Sequence, residues 1–466
     1  MTPAFRFGRR VAVLPALLSL GLVLISSGAN AQASNRDNQL FEQATSAMQS
    51  GHLATAEHIL LELRARHPHA FPIDESLGLL YAEENHLHRA LPVLAAAVRD
   101  NPAEPVAHAN LGDALLKLGH SQQAARELAI SAKLNPEDAA TQSSLAQAYM
   151  LLHKPGLAVP AFEAALRQNG NDPVLLYNTA LACYQAGMPA KAEPLLARMP
   201  GVENSAEAQS LYGDVDEAMT RYKQAAQHYA AAARLDPSEP NVYMVGVEFL
   251  RHWTFDAAIK EFLAGVQRFP GSTRMKVGLG IAYYGGSYYD KAIPVFSELL
   301  AQHPDNAMYA ELLGRDCIVP GEGTMPQCAD LVRFAEKHPH NARIATDAAI
   351  AILHGPRDPK QAALARSLLA RAMQADPKLA DAHFAMGLLL QEEGKWPESI
   401  PELQEATRLK PDDAVAHYRL ALADSHAGRM QQAHQEIALD LKYSHAQRAE
   451  TNARLKAVTT FLVKMK

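Results

Sequence analysis

The chain has 466 residues, 48 % of them apolar but only 6 % aromatic, and a formal net charge of -6. Its length exceeds what one compact core fills, and its apolar content excludes an intrinsically disordered chain. A moderately acidic balance argues against a nucleic-acid partner, whose phosphates demand a basic surface. Heavy use of Ala and Leu suits helices packed through small residues rather than a β-rich core.

The first element is a targeting segment. Arg6, Arg9 and Arg10 precede an uncharged apolar run from Val11 to Ser26, and Ala29-Asn30-Ala31 or Ala31-Gln32-Ala33 supplies a small-x-small cleavage pattern. The run contains Pro15 and is short for a spanning helix, so residues 1–33 are expected to be a cleaved secretory signal, with an uncleaved anchor as the alternative. The mature protein is then exported, periplasmic or secreted. Cleavage removes three arginines and no acidic residue, taking the net charge from -6 to -9. No cysteine near the site offers a lipid attachment, and no later apolar run is long enough to span a membrane.

The body of the chain is periodic. Pro68, Pro102, Pro136, Pro237, Pro270, Pro304, Pro339, Pro377 and Pro411 recur mostly 33 to 35 residues apart. Around Pro136, Asn110-Leu111-Gly112-Asp113-Ala114-Leu115 leads to Gly119, then Ala124, Leu128 and Asn135-Pro136. Apolar and small residues fall at helical spacing on both sides of Gly119, which predicts two short helices joined by a tight turn. Gly112 and Ala124 are expected to face each other and bring the helix axes close, while Pro136 ends the second helix.

This pattern closely resembles the tetratricopeptide repeat, with Leu-Gly in the first helix, Ala then Phe in the second, and a closing Pro. Leu279-Gly280-Ile281-Ala282-Tyr283 followed by Ala292, Phe296 and Pro304 is the cleanest copy; Met386-Gly387 followed by Leu403, Ala406 and Pro411 is another. The resemblance implies an all-α, right-handed superhelical solenoid of about 12 helix-turn-helix units. The expected blocks are 37–199 with about five repeats, 206–340 with about four, the last irregular, and 341–442 with about three. Copying lapses at Pro200-Gly201, where a bend is expected, and at the Pro/Gly-rich turn between Cys317 and Cys328. It lapses again at the extra residues Gly355-Pro356-Arg357-Asp358-Pro359.

Cys317 and Cys328 bracket a ten-residue loop that a disulfide could close in an oxidising compartment; two free thiols on neighbouring helices is the alternative. Cys183 sits where the repeat wants a buried residue and reads as a small core filler. From about Ala446 to residue 466, Leu455, Val458, Phe461 and Leu462 share one face. That segment is expected to be a capping helix over the last unit, or else an interaction helix.

Motifs for chemistry are lacking: there is no GxxxxGK[ST], HExxH, GxSxG or SxxK. No enzyme activity, cofactor or metal is expected. The alternating histidines His67-Pro68-His69, His86-Leu87-His88 and His338-Pro339-His340 have chelating spacing. His67, His303 and His338 precede the closing prolines, however, where a polar residue suits a helix end and can satisfy terminal carbonyls.

In the family that this chain resembles, first helices line the inner face and hold partner segments. Projected onto this sequence, that face includes Phe41, Met48, Leu116, Met150, Tyr177, Leu181, Tyr184, Tyr243, Tyr284, Phe384 and Tyr418. Lys117, Arg251 and Arg274 are scattered, so a carboxylate clamp is not expected. The expected function is a non-catalytic scaffold or adaptor of the bacterial cell envelope that binds an extended protein or peptide segment. The alternative is a carbohydrate-binding or polysaccharide-export accessory, in which the same aromatic rings stack on a glycan.

Overall fold

The computed structural model describes residues 31–355 and 358–465, and the side chains of 35–355 and 358–449 within them. These residues form 24 α-helices, two short 3-10 turns and no strand, and the chain divides at Leu235/Asp236 into two compact units. Consecutive helices pair as hairpins, 12 in all, as the period predicts.

In unit 1 the pairs are α1 (Ala31–Gln49) with α2 (Leu53–Arg66), α3 (Phe71–Glu83) with α4 (Leu87–Asp100), and α5 (Pro105–Lys117) with α6 (Ser121–Leu134). They continue as α7 (Ala139–Leu151) with α8 (Pro155–Gln168), α9 (Pro173–Gln185) with α10 (Pro189–Arg198), and α11 (Ala206–Ala218) with α12 (Tyr222–Leu235). Unit 2 begins with α13 (Glu239–Arg251) and α14 (Phe255–Arg268), α15 (Thr273–Gly285) and α16 (Tyr289–Gln302), and α17 (Ala307–Cys317) and α18 (Cys328–Lys337). It ends with α19 (Ala342–Leu353) and α20 (Pro359–Ala375), α21 (Ala380–Glu392) and α22 (Trp396–Leu409), and α23 (Ala414–His426) and α24 (Met430–Met465).

Local chemistry sets these boundaries. Residues just after the closing position cap the next first helix: Asp138 after Pro136 accepts from the Ala140 and Thr141 amides, Asp172 after Gly170 from Val174 and Leu175, and Asn341 after Pro339 from Ile344. Every hairpin except α19–α20 turns through a left-handed residue among the described residues, glycine at Gly119 and Gly394 but Thr220 and Trp253 elsewhere, with φ of 59° and 57° at the last two. Within hairpins, the missing side chain of the first-helix glycine admits a large residue from the second helix. A Cβ on Gly112 would lie 2.6 Å from Leu128 Cγ, and one on Gly280 would lie 2.5 Å from Phe296 Cζ. The close approach is therefore Gly112 to Leu128, not Gly112 to Ala124; Ala124 is fully buried nearby in the same core.

One buried apolar cluster runs through unit 1 from Phe41 to Val215. Unit 2 holds a cluster from Ala258 to Leu390 and a smaller one made by Ile400, Leu403, Leu420 and Ala423.

The lapses in copying have local consequences. After α10, Gly201 is left-handed and residues 202–204 form a 3-10 turn, yet α11 starts 33 residues after α9, so the register survives. The boundary between the compact units falls inside the expected 206–340 block. Cys317 and Cys328 are disulfide-bonded, with Cα atoms 5.8 Å apart, and tie the end of α17 to the start of α18. Cys183 is fully buried, and burial pushes its thiol up to about 11. Pro356 and Arg357 of the expected insertion lie outside the described residues, and α20 is lengthened to 17 residues after them.

A separate capping helix at 446–466 is not what forms. α24 runs without a break for 36 residues, so that segment extends the last second helix instead of folding over it. The side chains of Leu455, Val458, Phe461 and Leu462 lie outside those described, as do residues 1–30 of the expected signal over 1–33, whose last three residues begin α1. No described helix is long and apolar enough to cross a membrane.

Candidate partner-binding face

The residues projected onto the inner face fall into three groups. Phe41, Met48, Met150, Tyr177 and Leu181 are buried in unit 1, the last two at 0 % and 1 % exposure, and belong to its apolar core. They are packing residues and present nothing to a partner, because adjacent first helices touch along this side. Leu116 and Tyr184 are half-buried against the same cluster, and Phe384 is half-buried against the small cluster of unit 2. Tyr243 is half-buried as well: its ring tilts on Phe262 at 5.7 Å, and the Arg274 guanidinium lies 5.3 Å above its centre. Only Tyr284 and Tyr418 are exposed, at 40 % and 46 %.

Exposed apolar side chains on first helices are unevenly shared. Unit 1 offers Val106 and Leu151; unit 2 offers Ile281, Tyr284, Met308, Val415 and Tyr418. Ile281 and Tyr284 lie one turn apart on α15, as do Val415 and Tyr418 on α23, so each pair shares a helix face. Tyr284 also meets Tyr289 edge-on at 5.8 Å, which steadies the ring.

Charge joins these anchors in unit 2. Arg315 on α17 and Arg343 on α19 are exposed and form no ion pair among the described residues. Both act on Asp347, which is 4 % exposed, lies against the bare backbone of Gly314, and has an Oδ2 without a hydrogen-bond partner. Burial is the largest cause holding the Asp347 carboxyl up at about 7, with the two arginines opposing it. Helical projection missed this pair, although Arg315 and Arg343 stand at the ninth and second positions of consecutive first helices, the positions of the exposed Ile281 and Val415.

The histidines are structural. His67 contacts Asp37 at 2.8 Å and His69 approaches Asp100 at 3.4 Å, so the His-Pro-His pair separates toward two carboxylates. His338 stacks on Phe334 at 4.2 Å and His303 tilts against Tyr309 at 5.7 Å; these rings pack sideways rather than capping carbonyls. A further set escaped sequence reading. His108, His383 and His417 each bridge a glutamate 19 residues ahead, Glu127, Glu402 and Glu436, and the carbonyl of the preceding closing proline. A histidine six residues after that proline is the signal that marks them.

With the hairpins and their register in view, family comparison is decisive. The tetratricopeptide repeat profile matches residues 41–105, 75–139, 109–152, 144–205, 243–307 and 384–445, more than half of the chain. The chain belongs to the tetratricopeptide repeat family. In its coarse class this tetratricopeptide repeat array is a protein-interaction scaffold, and the matched family is not a catalytic one.

No curated protein matches the sequence. Among solved structures, the chain is similar to the Naa15/Naa10 complex bound to HypK-THB, at 15 % identity, with 87 % of this chain and 68 % of that one covered and a TM-score of 0.40. It is also similar to Pseudomonas aeruginosa PilF, at 18 % identity, 45 % and 96 % coverage and a TM-score of 0.37. A third is YrrB, described as a tetratricopeptide repeat protein with an unusual peptide-binding site, at 20 % identity, 39 % and 95 % coverage and a TM-score of 0.34.

Proposed function

We propose that the protein is an exported, non-catalytic scaffold of the bacterial cell envelope that holds an extended partner segment along the first helices of unit 2. The observation that carries this reading is the concentration of exposed apolar anchors there, Ile281, Tyr284, Met308, Val415 and Tyr418, beside the unpaired cations Arg315 and Arg343. The partner segment is therefore apolar or aromatic with at least one carboxylate, since aromatic anchors supply contact area and guanidinium groups orient an acid. Export is supported by the charged and apolar N-terminal pattern and by the Cys317–Cys328 bridge, which persists in oxidising compartments.

Fluorescence anisotropy with short peptides tests the reading. Peptides pairing Phe, Leu or Trp with Asp or Glu should bind, and the same peptides with Lys in place of the acids should not. Tyr284→Ala with Tyr418→Ala should weaken binding without loss of helical signal, and Arg315→Glu with Arg343→Glu should shift preference toward the basic set. Unchanged affinity in both double variants overturns the assignment of the face. Binding on a glycan panel in the absence of any peptide binding replaces a protein partner with a carbohydrate.

A further inference from the structure

The α7–α8 hairpin closes on glycine where the two hairpins before it close on proline, and the difference changes the chemistry of the asparagine beside it. Asn101, Asn135 and Asn169 hold the same place in three consecutive hairpins, each capping its second helix by donating its N–H to Ala97, Ser131 and Ala165 in turn. Pro102 and Pro136 follow the first two, and Gly170 follows the third. A proline nitrogen within a chain carries no hydrogen and cannot form an imide with the side chain before it. Gly170 has that hydrogen, and no side chain of its own to hinder an approach. Asn-Gly occurs nowhere else in the sequence.

Both reacting groups are open. Asn169 is exposed, and neither its side-chain amide nor the Gly170 N–H makes a hydrogen bond among the described residues. The turn around them is held at three points. The Asn169 N–H donates to the Ala165 carbonyl at 3.2 Å, the Asp172 N–H to the Asn169 carbonyl at 3.2 Å, and Arg198 Nη2, from the end of α10, to the Gly170 carbonyl at 2.9 Å. Ring closure needs rotation about the Cα–C bond of Asn169, here at a ψ of 54°, and these three bonds resist it. Local opening of the turn therefore gates the rate.

We infer that Asn169-Gly170 is a self-modifying site, at which the chain converts its own asparagine to aspartate and isoaspartate. Gly170 N attacks Asn169 Cγ. The new C–N bond closes a succinimide ring, the bond from Cγ to the side-chain nitrogen breaks, and that nitrogen leaves as ammonia with the proton Gly170 gives up. Water, the one co-reactant, then opens the ring. Hydrolysis at Cγ restores the main chain and leaves aspartate; hydrolysis at the main-chain carbonyl routes the chain through Cγ and leaves isoaspartate. Nothing is oxidised or reduced. Either product adds a negative charge, and a Cβ on Gly170 would stand 3.7 Å from Arg198 Nη2, so the charge arises close to a cation of the next hairpin. Isoaspartate also lengthens the main chain by a methylene at the joint between the two hairpins.

Peptide mapping by mass spectrometry, on the full chain aged in mildly alkaline buffer, reads the products directly. The peptide containing Asn169 should gain the mass of an amide-to-acid exchange and split into two chromatographic forms, while those containing Asn101 and Asn135 stay unchanged. Gly170→Pro gives this hairpin the closing residue of its neighbours and should abolish both products. The fold accommodates it, since Asn169, at φ -123° and ψ 54°, lies near the φ -132° and ψ 86° of Asn135 before Pro136. Arg198→Ala removes one of the three restraints and should speed conversion severalfold with helical signal unchanged. An Asn169 that stays intact in the folded chain, under conditions where a synthetic peptide of the same residues reacts, overturns the inference. So does conversion that persists in Gly170→Pro, which would exclude the succinimide route.

Discussion

Glu75 offers the sharpest test of how neighbouring repeats are joined. Its side chain lies between α3 and α5 at 1 % exposure, where Asn110 donates to Oε1 while Oε2 has no partner. Burial pushes its carboxyl up to about 7, against about 4.3 in an unfolded chain. Between those two values the folded protein keeps a proton that the unfolded chain has released, so stability falls as pH rises through this window. Above pH 7 the loss is complete. That difference corresponds to about 3 kcal/mol. Glu75→Gln keeps an acceptor for Asn110 and cannot ionise, so it should abolish the slope. Repeats contact only their neighbours and open locally, which makes a global melt the wrong readout. Hydrogen exchange of α3 and α5 peptides, wild type against variant at the same pH, cancels the intrinsic exchange rate. Protection should match at pH 4 and differ up to about a hundredfold in favour of the variant at pH 8. Equal protection at both pH values would refute the burial argument.

Four further outcomes follow from particular contacts. Gly112→Leu forces a side chain into the space held by Leu128 and should cost about 1 to 3 kcal/mol, visible as lost protection in α5 and α6. Thr220→Gly relieves a β-branched residue held at a φ of 59° and should stabilise unit 1 by about 1 kcal/mol, seen as a higher melting temperature. Cys317→Ser with Cys328→Ser opens an 11-residue separation and should cost about 3 kcal/mol, with faster proteolysis confined to the α17–α18 turn. Acidic-peptide binding should weaken as pH rises through about 7, where Asp347 becomes an anion beside Arg315 and Arg343; Asp347→Asn should flatten that profile in anisotropy.

Much of the fold was legible because the repeat states it twice, in period and in residue type. Closing prolines, turn glycines and the Leu-Gly pairs each mark one place in the hairpin, and 12 hairpins appear where they point. The C-terminal cap was misjudged because nothing in residues 426–446 breaks a helix after Gly428: there is no proline or glycine until the sequence ends. The disulfide was foreshadowed only as one of two possibilities, since a ten-residue spacing permits a bridge without requiring it. Arg315, Arg343 and the bridging histidines were invisible to a search for apolar faces, because they act through charged or polar partners: Asp347 for the arginines, and for each histidine a glutamate of its own hairpin with the carbonyl of the preceding closing proline.

The partner face shows why helical projection alone could not rank its residues. Tyr177, Tyr243 and Tyr418 are each the fifth residue of a first helix, yet the first is fully buried, the second half-buried and the third 46 % exposed. Leu181 and Ile281 share the ninth position and are 1 % and 38 % exposed. What differs is the packing around each ring. Tyr177 is fully buried in the core cluster of unit 1; the Tyr243 ring rests on Phe262 with Arg274 over its face; after Tyr418 no further first helix follows among the described residues. Exposure on this face is thus set by the packing around the anchor as much as by the anchor itself: a tyrosine at one and the same helical position is core in one hairpin and open to solvent in another.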